Sequence, residues 1–372
     1  MNLTKIFCPN MACPARGQTG RGNIRVHSLI EKRCWCQVCE SSFSVSKGTI
    51  FYRLKTDPQV VIWVLSLLAY GCPLQAIVAA FGLDERTIKH WWQKAGQHCQ
   101  AVHEDVIGRS QLDLQQVQAD EIKVKTQGGT LWLAMALMVS TRLWLGGVIS
   151  PRRDKVLIQA LVDKVRAMAL CRPLLVAVDG LPSYVKAFQR AFRSKLPRHG
   201  QPGRCQWRAW SELAIVQVIK SRTTSQLEVT RRIVQGCADQ IRDLIQSSQG
   251  QGGINTAFIE RLNATFRQRL NVLARRTRTL ARQPDTLLAG LYVVGCLYNF
   301  CTYHQSLRVS FLLSQRSQRW LQRTPAIAAG LTDHLWSIDE LFYFKVPPPR
   351  WTPPKRPGRH SLFTLLLIEQ WC

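Results

Sequence analysis

Three groups of residues have the types and spacing to do chemistry. The first lies in Asn255–Leu270, where Glu260, Asn263 and Arg267 fall at i, i+3 and i+7 and share one face of a helix. A carboxylate, an amide and a guanidinium in that row suit a cation held beside a phosphate. The same pattern also suits a solvated face laced with salt bridges. The second group is a pair of lone acids. Asp120 lies in an alternating, strand-like stretch, and Asp179 ends a short β-branched run at Asp179-Gly180. A buried strand ending in Asp-Gly puts a carboxylate at a sheet edge, where mixed-sheet enzymes place their chemistry; an Asp there also serves as a turn or cap residue. The third group is Cys8, Cys13, Cys36 and Cys39, two pairs that provide four thiolates for tetrahedral Zn²⁺. The first pair is wider than the usual two-residue gap, and unrelated buried or oxidised thiols are the alternative.

These groups need elements to position them. The helix over Asn255–Leu270 can dock through Phe258, Ile259, Leu262, Phe266 and Leu270. Gln115–Lys125, Leu131–Val139 and Arg142–Ser150 read as three meandering strands, Pro151–Ala169 as a helix, and Pro173–Val178 as a buried strand. That order predicts an α/β architecture with a mixed sheet. Alternation on the first strand points Glu121 to the face opposite Asp120. Residues 193–208 read as a basic loop, Leu213–Ile219 and Leu227–Val234 as strands, Gln246–Gly253 as a linker, and Leu287–Tyr303 and Pro325–Phe342 as helices. Upstream, Val60–Tyr70, Leu74–Phe81 and Glu85–Gln97 read as helices, with a polar connection over residues 99–114. The last two flank the turn Gly82-Leu83-Asp84 and resemble a helix-turn-helix. Ile88, Trp92 and Ala95 then pack inward, while Arg86, Lys89, His90 and Gln93 face out, where a recognition helix meets phosphates and bases. A small three-helix bundle without DNA is the other reading.

The 372 residues carry 50 Lys and Arg against 23 Asp and Glu, a net charge of +27. A field of that sign attracts polyanions, nucleic acid first. Further arginines cluster at Arg275, Arg276, Arg278 and Arg282. The start of the chain has no secretory pattern, and Cys99, Cys171, Cys237 and Cys296 sit singly in apolar runs as reduced buried thiols do. A cytoplasmic, nucleoid-associated location is expected. Val60–Leu83 is broken by Gly71-Cys72-Pro73, so no membrane span is expected.

Taken together, the zinc-ribbon-like Cys8-Pro-Asn, Cys13, Cys36-Gln-Val-Cys39 and Phe43, the helix-turn-helix, Ala119-Asp120-Glu121, Val178-Asp179-Gly180-Leu181-Pro182-Ser183-Tyr184 and Phe258–Arg267 resemble DDE transposases of the insertion-sequence-one type. The resemblance covers nearly the whole chain. It implies a zinc-ribbon-like domain over 1–50, a helix-turn-helix domain over 51–112, a retroviral-integrase-type, RNase H-like catalytic domain over 113–283, a C-terminal helical segment over 284–345 and a Pro-rich basic tail over 346–372. It implies that Asp120, Asp179 and Glu260 hold two Mg²⁺ (or Mn²⁺) ions for phosphodiester cleavage and strand transfer. Arg267 and Asn263 position the DNA backbone, and the zinc unit and helix-turn-helix read the terminal inverted repeats of double-stranded DNA. At least a dimer on DNA follows by the same analogy. A non-catalytic DNA-binding regulator derived from such a protein shares the zinc unit, the helix-turn-helix and the charge, but has no need of the acid trio; an RNase H-like nuclease shares the acids without needing end recognition.

Overall fold

The N-terminal cysteines are mounted on a small antiparallel sheet of β1 (Ile24–Ser28), β2 (Arg33–Cys36) and β3 (Ser42–Ser44). The computed structural model describes residues 2–196, 204–222, 227–277, 279–314, 317–353, 355 and 358–372. Residues 197–203 of the basic loop and Arg278 therefore lie outside the described residues. The chain divides into two units: Met1–Val61 with Phe342–Cys372, and Ile62–Leu341.

The cysteine-bearing part of the first unit has a buried cluster of Ile6, Cys8, Cys13, Ala15, Ile24, Cys34, Cys36, Phe43 and Trp371. Four of these nine are cysteines, so the cluster has little apolar surface with which to hold this short segment by burial alone. Trp371 arrives from the C-terminal stretch, which is tied down by backbone carbonyls: Arg16 donates to the carbonyls of Pro349 and Arg350, at 2.7 and 3.1 Å, and Gln18 to that of Trp371 at 2.8 Å.

The second unit starts with helices. The boundary between units falls inside α1 (Pro58–Ala69), and α2 (Leu74–Phe81) and α3 (Glu85–His103) follow. Asp84 caps α3, its carboxylate accepting from the N–H groups of Arg86 and Thr87. The polar connection expected over residues 99–114 is shortened to the chain after Gly108. α3 runs on to His103 and a π-helical turn over Glu104–Gly108, because Cys99, Val102 and Ile107 extend its buried face. That face packs on the helix Pro284–Cys296, so closely that a Cβ on Gly96 would lie 2.3 Å from Ala289.

The sheet comes next. β4 (Gln116–Thr126), β5 (Gly129–Met138) and β6 (Leu143–Ser150) form an antiparallel meander. Helix α4 (Lys155–Met168) crosses over, and β7 (Leu174–Val178) pairs parallel with β4. After α5 (Pro182–Ala191) and a small hairpin of β8 (Arg193–Lys195) and β9 (Trp207–Ala209), β10 (Leu213–Arg222) pairs parallel with β7. β11 (Leu227–Gln235) adds an antiparallel edge, giving the order β11-β10-β7-β4-β5-β6. The α/β architecture with a mixed sheet is thus observed.

Helix α6 (Ala238–Gln249) packs Ile241, Leu244 and Ile245 on Leu175, Ala177, Ala214 and Val216 of the sheet. It takes up the first half of the expected linker, which shrinks to residues 250–256 before α7 (Ala257–Arg269). Next come α8 (Pro284–Cys296) with a π-helical extension over Leu297–Cys301, a hairpin of β12 (Val309–Ser314) and β13 (Ser317–Leu321), and short α9 (Pro325–Ala328), α10 (Ile338–Tyr343) and α11 (Leu362–Trp371). Pro325–Phe342 is therefore two short helices with irregular chain between them. Cys99 and Cys296 are buried as expected, but Cys171 and Cys237 are exposed, and Cys237 caps α6 through its sulfur. Among the described residues no helix is long and apolar enough to cross a membrane.

Candidate functional site

One face of β4 builds the site. Gln116, Gln118 and Asp120 alternate along it and all point to the same side. Gln116 Oε1 accepts from Ser248 Oγ at 2.6 Å and Gln249 Nε2 at 2.7 Å, which fastens the end of α6. Gln118 does the same for the start of α7. Its Oε1 accepts from the N–H groups of Phe258 and Ile259, at 3.1 and 3.0 Å, and its Nε2 donates to the Asn255 carbonyl at 2.8 Å. The first turn of a helix has N–H groups with no partner of its own. Here a strand side chain supplies the cap, since the Thr256 side chain makes none. Ile259, Leu262, Phe266 and Leu270 bury the apolar face of α7 as their spacing predicts, whereas Phe258 is only partly buried under the Arg142 guanidinium, 3.9 Å from its ring centre.

Docked this way, α7 brings Asn263 onto Asp120. Asn263 Nδ2 donates to Asp120 Oδ2 at 2.8 Å, and Asp120 Oδ1 accepts from the Glu121 N–H at 2.8 Å. Asp179 leaves the end of β7, held by the Leu181 N–H on Oδ1 at 3.0 Å. Asp120, Asp179, Glu260, Asn263 and Arg267 line one cavity of about 840 Å³, with Arg153, Lys220, Thr256 and Arg275. The structure therefore brings together five of the residues singled out in the sequence.

Their carboxylates do not all converge, and the acid that does converge was not expected. Oxygens of Asp120, Glu121 and Asp179 lie within 4.8 Å of one another. Alternation was expected to carry Glu121 away, and its side chain does leave β4 on the side opposite α7. But β7 stops at Val178, opposite Ala119, so on that edge of β4 no strand separates the two faces beyond that point, while β5 continues along the other edge. Asp179 occupies the gap, and Arg153 joins both acids, at 3.2 Å to Glu121 Oε1 and 3.1 Å to Asp179 Oδ2. Glu260 stands apart from this trio, paired with Lys220 and accepting from Thr256 Oγ1 at 2.7 Å. Sequence spacing could not find Arg153, Lys220 or Gln118, which neighbour the acids only through the fold; a glutamine two residues before Asp120 on one strand face was the one available signal.

The electrostatics follow from burial. Burial pushes Asp120 up to about 6, and the charges of Asp179 and Glu260 add to it, against the Glu121 N–H and Arg267. Burial likewise pushes Glu121 up to about 7, with Asp179 and Asp120 adding, while Arg153 opposes. Burial works on Glu260 too, but Lys220 and Thr256 outweigh it and hold this acid below its ordinary value. The donors are all hard oxygens, which suits Mg²⁺ or Mn²⁺. Asn263 Oδ1 is buried without a hydrogen-bond partner among the described residues, an acceptor left open beside Asp120. The acidic cluster could hold a divalent ion.

The cysteines form a second constellation. Sulfurs of Cys8, Cys13, Cys36 and Cys39 all lie within 4.8 Å of one another, with Cys8–Cys39 at 3.6 Å and Cys13–Cys36 at 3.9 Å. A tetrahedron with bonds of about 2.3 Å separates its sulfurs by about 3.8 Å, so the four thiols fit a zinc-type ion. Cys34 is the spare, buried but outside the group. Burial pushes Cys13 up to about 12 and Cys8 higher still, whereas for Cys39 hydrogen bonds from Asn10 and Ser41 outweigh burial and hold it at about 7.

On α3, Ile88, Trp92 and Ala95 are buried and Arg86, Lys89 and His90 are exposed, with Gln93 half-buried beside them. Lys89 is paired with Glu85. These four lie away from the acid cavity and do not line it. Comparison of the sequence with protein-family models and with curated proteins gives no match in either case.

Proposed function

We propose that this chain is a DDE-type transposase, with an RNase H-like catalytic domain, that binds the terminal inverted repeats of an insertion sequence and performs metal-dependent DNA cleavage and strand transfer. The observation that supports it most is the single cavity in which Asp120, Asp179 and Glu260, from β4, the end of β7 and α7, meet beside Arg267. Site chemistry at the end of a central parallel strand is where open mixed sheets usually place it. The net charge of +27 suits a polyanionic substrate.

In this reading Asp120, Asp179 and Glu260 hold divalent ions. Bound there, the ions supply the Lewis acidity that activates the attacking water or 3′-hydroxyl and stabilises the leaving oxygen. Asn263 keeps Asp120 oriented through its 2.8 Å hydrogen bond. Arg267 and Arg275 bind backbone phosphates at the rim. Lys220 releases Glu260 and is free to meet a phosphate in its place. Arg86, Lys89, His90 and Gln93 contact the inverted repeat as a recognition surface, and a Zn²⁺-loaded cysteine unit assists them. At least a dimer is required to hold two element ends.

The test is cleavage of DNA carrying the element's own ends. Asp120→Ala, Asp179→Ala and Glu260→Ala each abolish Mg²⁺- or Mn²⁺-dependent nicking and strand transfer, while binding in a gel-shift assay persists. Cleavage retained in one variant removes that residue from the trio. Cleavage absent from the wild type with all end sequences, alongside intact end binding, favours the non-catalytic regulator.

A further inference from the structure

The acid closest to Asp120 and Asp179 is Glu121, and the proposed chemistry gives it no task. Of the three carboxylates within 4.8 Å of one another, Arg153 pairs with Glu121 and Asp179, and Asp120 has no ion-pair partner among the described residues. Glu121 is not a solvated bystander: its side chain is 1% exposed, and its Oε2 has no hydrogen-bond partner among the described residues. A buried carboxylate oxygen left open costs free energy unless a ligand occupies it.

An independent group points to the same place. Tyr184, at the start of α5, is fully buried, and its hydroxyl also has no hydrogen-bond partner among the described residues. The charges that act on that hydroxyl are those of Glu121, Asp120, Asp179 and Arg153. A buried phenol hydroxyl and a buried carboxylate oxygen, both without a partner among the described residues, match the oxygen-rich shell of a hydrated divalent cation. Asn263 Oδ1 offers a further open acceptor on the far side of Asp120. Glu260, by contrast, is already satisfied by Lys220 and Thr256.

We propose that the first divalent cation binds among Asp120, Glu121 and Asp179, displacing the Arg153 guanidinium, and that it does so before DNA is present and without Glu260. Glu121 is then a fourth carboxylate of the site. Arg153 lies between Glu121 and Asp179, against the Trp132 ring, 5.2 Å from its centre. Glu260 joins when a phosphodiester draws Lys220 away. This inference rests on the divalent-ion reading of the site above.

Mn²⁺ binding to the full chain without DNA, followed by electron paramagnetic resonance of the free ion, tests it. Glu121→Gln, isosteric and neutral, weakens Mn²⁺ binding about tenfold or more, as ligand loss does. Glu260→Gln leaves it at the wild-type value, because Glu260 is outside the trio and paired with Lys220. Arg153→Gln tightens it, because the competing cation is gone; this variant reports on the site even if Glu121→Gln folds poorly, which circular dichroism monitors. Wild-type affinity in Glu121→Gln, with binding lost in Asp120→Asn and Asp179→Asn, overturns the role of Glu121 and leaves the wider reading standing. Unchanged or weaker affinity in Arg153→Gln overturns the displacement. Affinity unaffected by any of the acid changes overturns both readings together.

Discussion

The cysteine cluster and the acid cluster are built in opposite ways. Cys8, Cys13, Cys36 and Cys39 come from one short stretch of chain, and the small antiparallel sheet among them sets their geometry. Cysteines make up four of the nine residues of the buried cluster there. Asp120, Glu121, Asp179 and Glu260 come from β4, the end of β7 and α7, far apart in sequence, and are placed by a sheet and helices that stand on their own apolar cores. The acids are held by protein groups: Gln118 fixes α7, Asn263 fixes Asp120, and Arg153 and Lys220 neutralise charge. A metal bound by the first cluster is part of folding. One bound by the second is a ligand taken up by a finished fold.

Removing metal should therefore separate the two, with the largest effect in the molecule. Structural zinc in small sites is worth about 10–16 kcal/mol of folding free energy. With a strong chelator, or with Cys36→Ser, backbone amides of β1–β3 should lose their protection from hydrogen exchange, while those of β4, β5 and β7 keep theirs. Equal loss in both regions would show that the acid-bearing sheet also depends on metal. Unchanged protection in β1–β3 would show that the four thiols do not bind a structural ion.

A smaller effect is expected where the sheet positions its helix. Gln118→Leu removes the acceptor of two N–H groups at the start of α7, one of them buried, and the donor to Asn255. The expected cost is about 2–3 kcal/mol, from one lost cap plus an unsatisfied buried donor. Chemical denaturation should show it as a lower midpoint at unchanged slope. The proposed DNA cleavage should fall with it, because Asn263 and Glu260 lose their register on Asp120. A variant as stable as wild type would mean that α7 is held in place without the Gln118 cap.

The contrast also explains what could be read from the sequence. The cysteine cluster was legible because a local spacing encodes it. The mixed sheet was legible because β4 to β7 show period-two and buried β-branched runs, and the apolar stripe of α7 was legible at helical spacing. α6 was not, because Ile241, Leu244 and Ile245 are too few to announce a helix beside a Ser/Gln/Gly-rich stretch. The continuation of α3 past Cys99 was hidden by polar residues on its exposed side, although Cys99, Val102 and Ile107 kept the buried face going. At the site, Asp120, Asp179 and Glu260 reached one cavity, yet the meeting of Glu121 with Asp179 depends on where β7 ends relative to β4, a register that no single strand carries. Arg153 and Lys220 depend on the same register.

The smallest effect concerns protons. Asp120 and Glu121 have folded values of about 6 and 7, against ordinary values of 3.8 and 4.5. Raised values mean that the folded chain binds these protons more tightly than the unfolded chain does. Their contribution to stability is complete below about pH 4 and is lost as pH rises through 6 and then 7. Above that window the ionised carboxylates repel one another, and a divalent cation relieves the repulsion. Mg²⁺ should raise the thermal midpoint of the acid-bearing unit little at about pH 5 and by a few degrees at about pH 8, with most of the growth between about 5.5 and 7.5. Glu121→Gln should remove the upper part of that rise and leave the part centred on Asp120. A metal held by the four thiols would instead be lost on acidification, with or without Mg²⁺. A Mg²⁺-induced rise that is the same at pH 5 and pH 8 would show that the ion is held by groups other than these two acids.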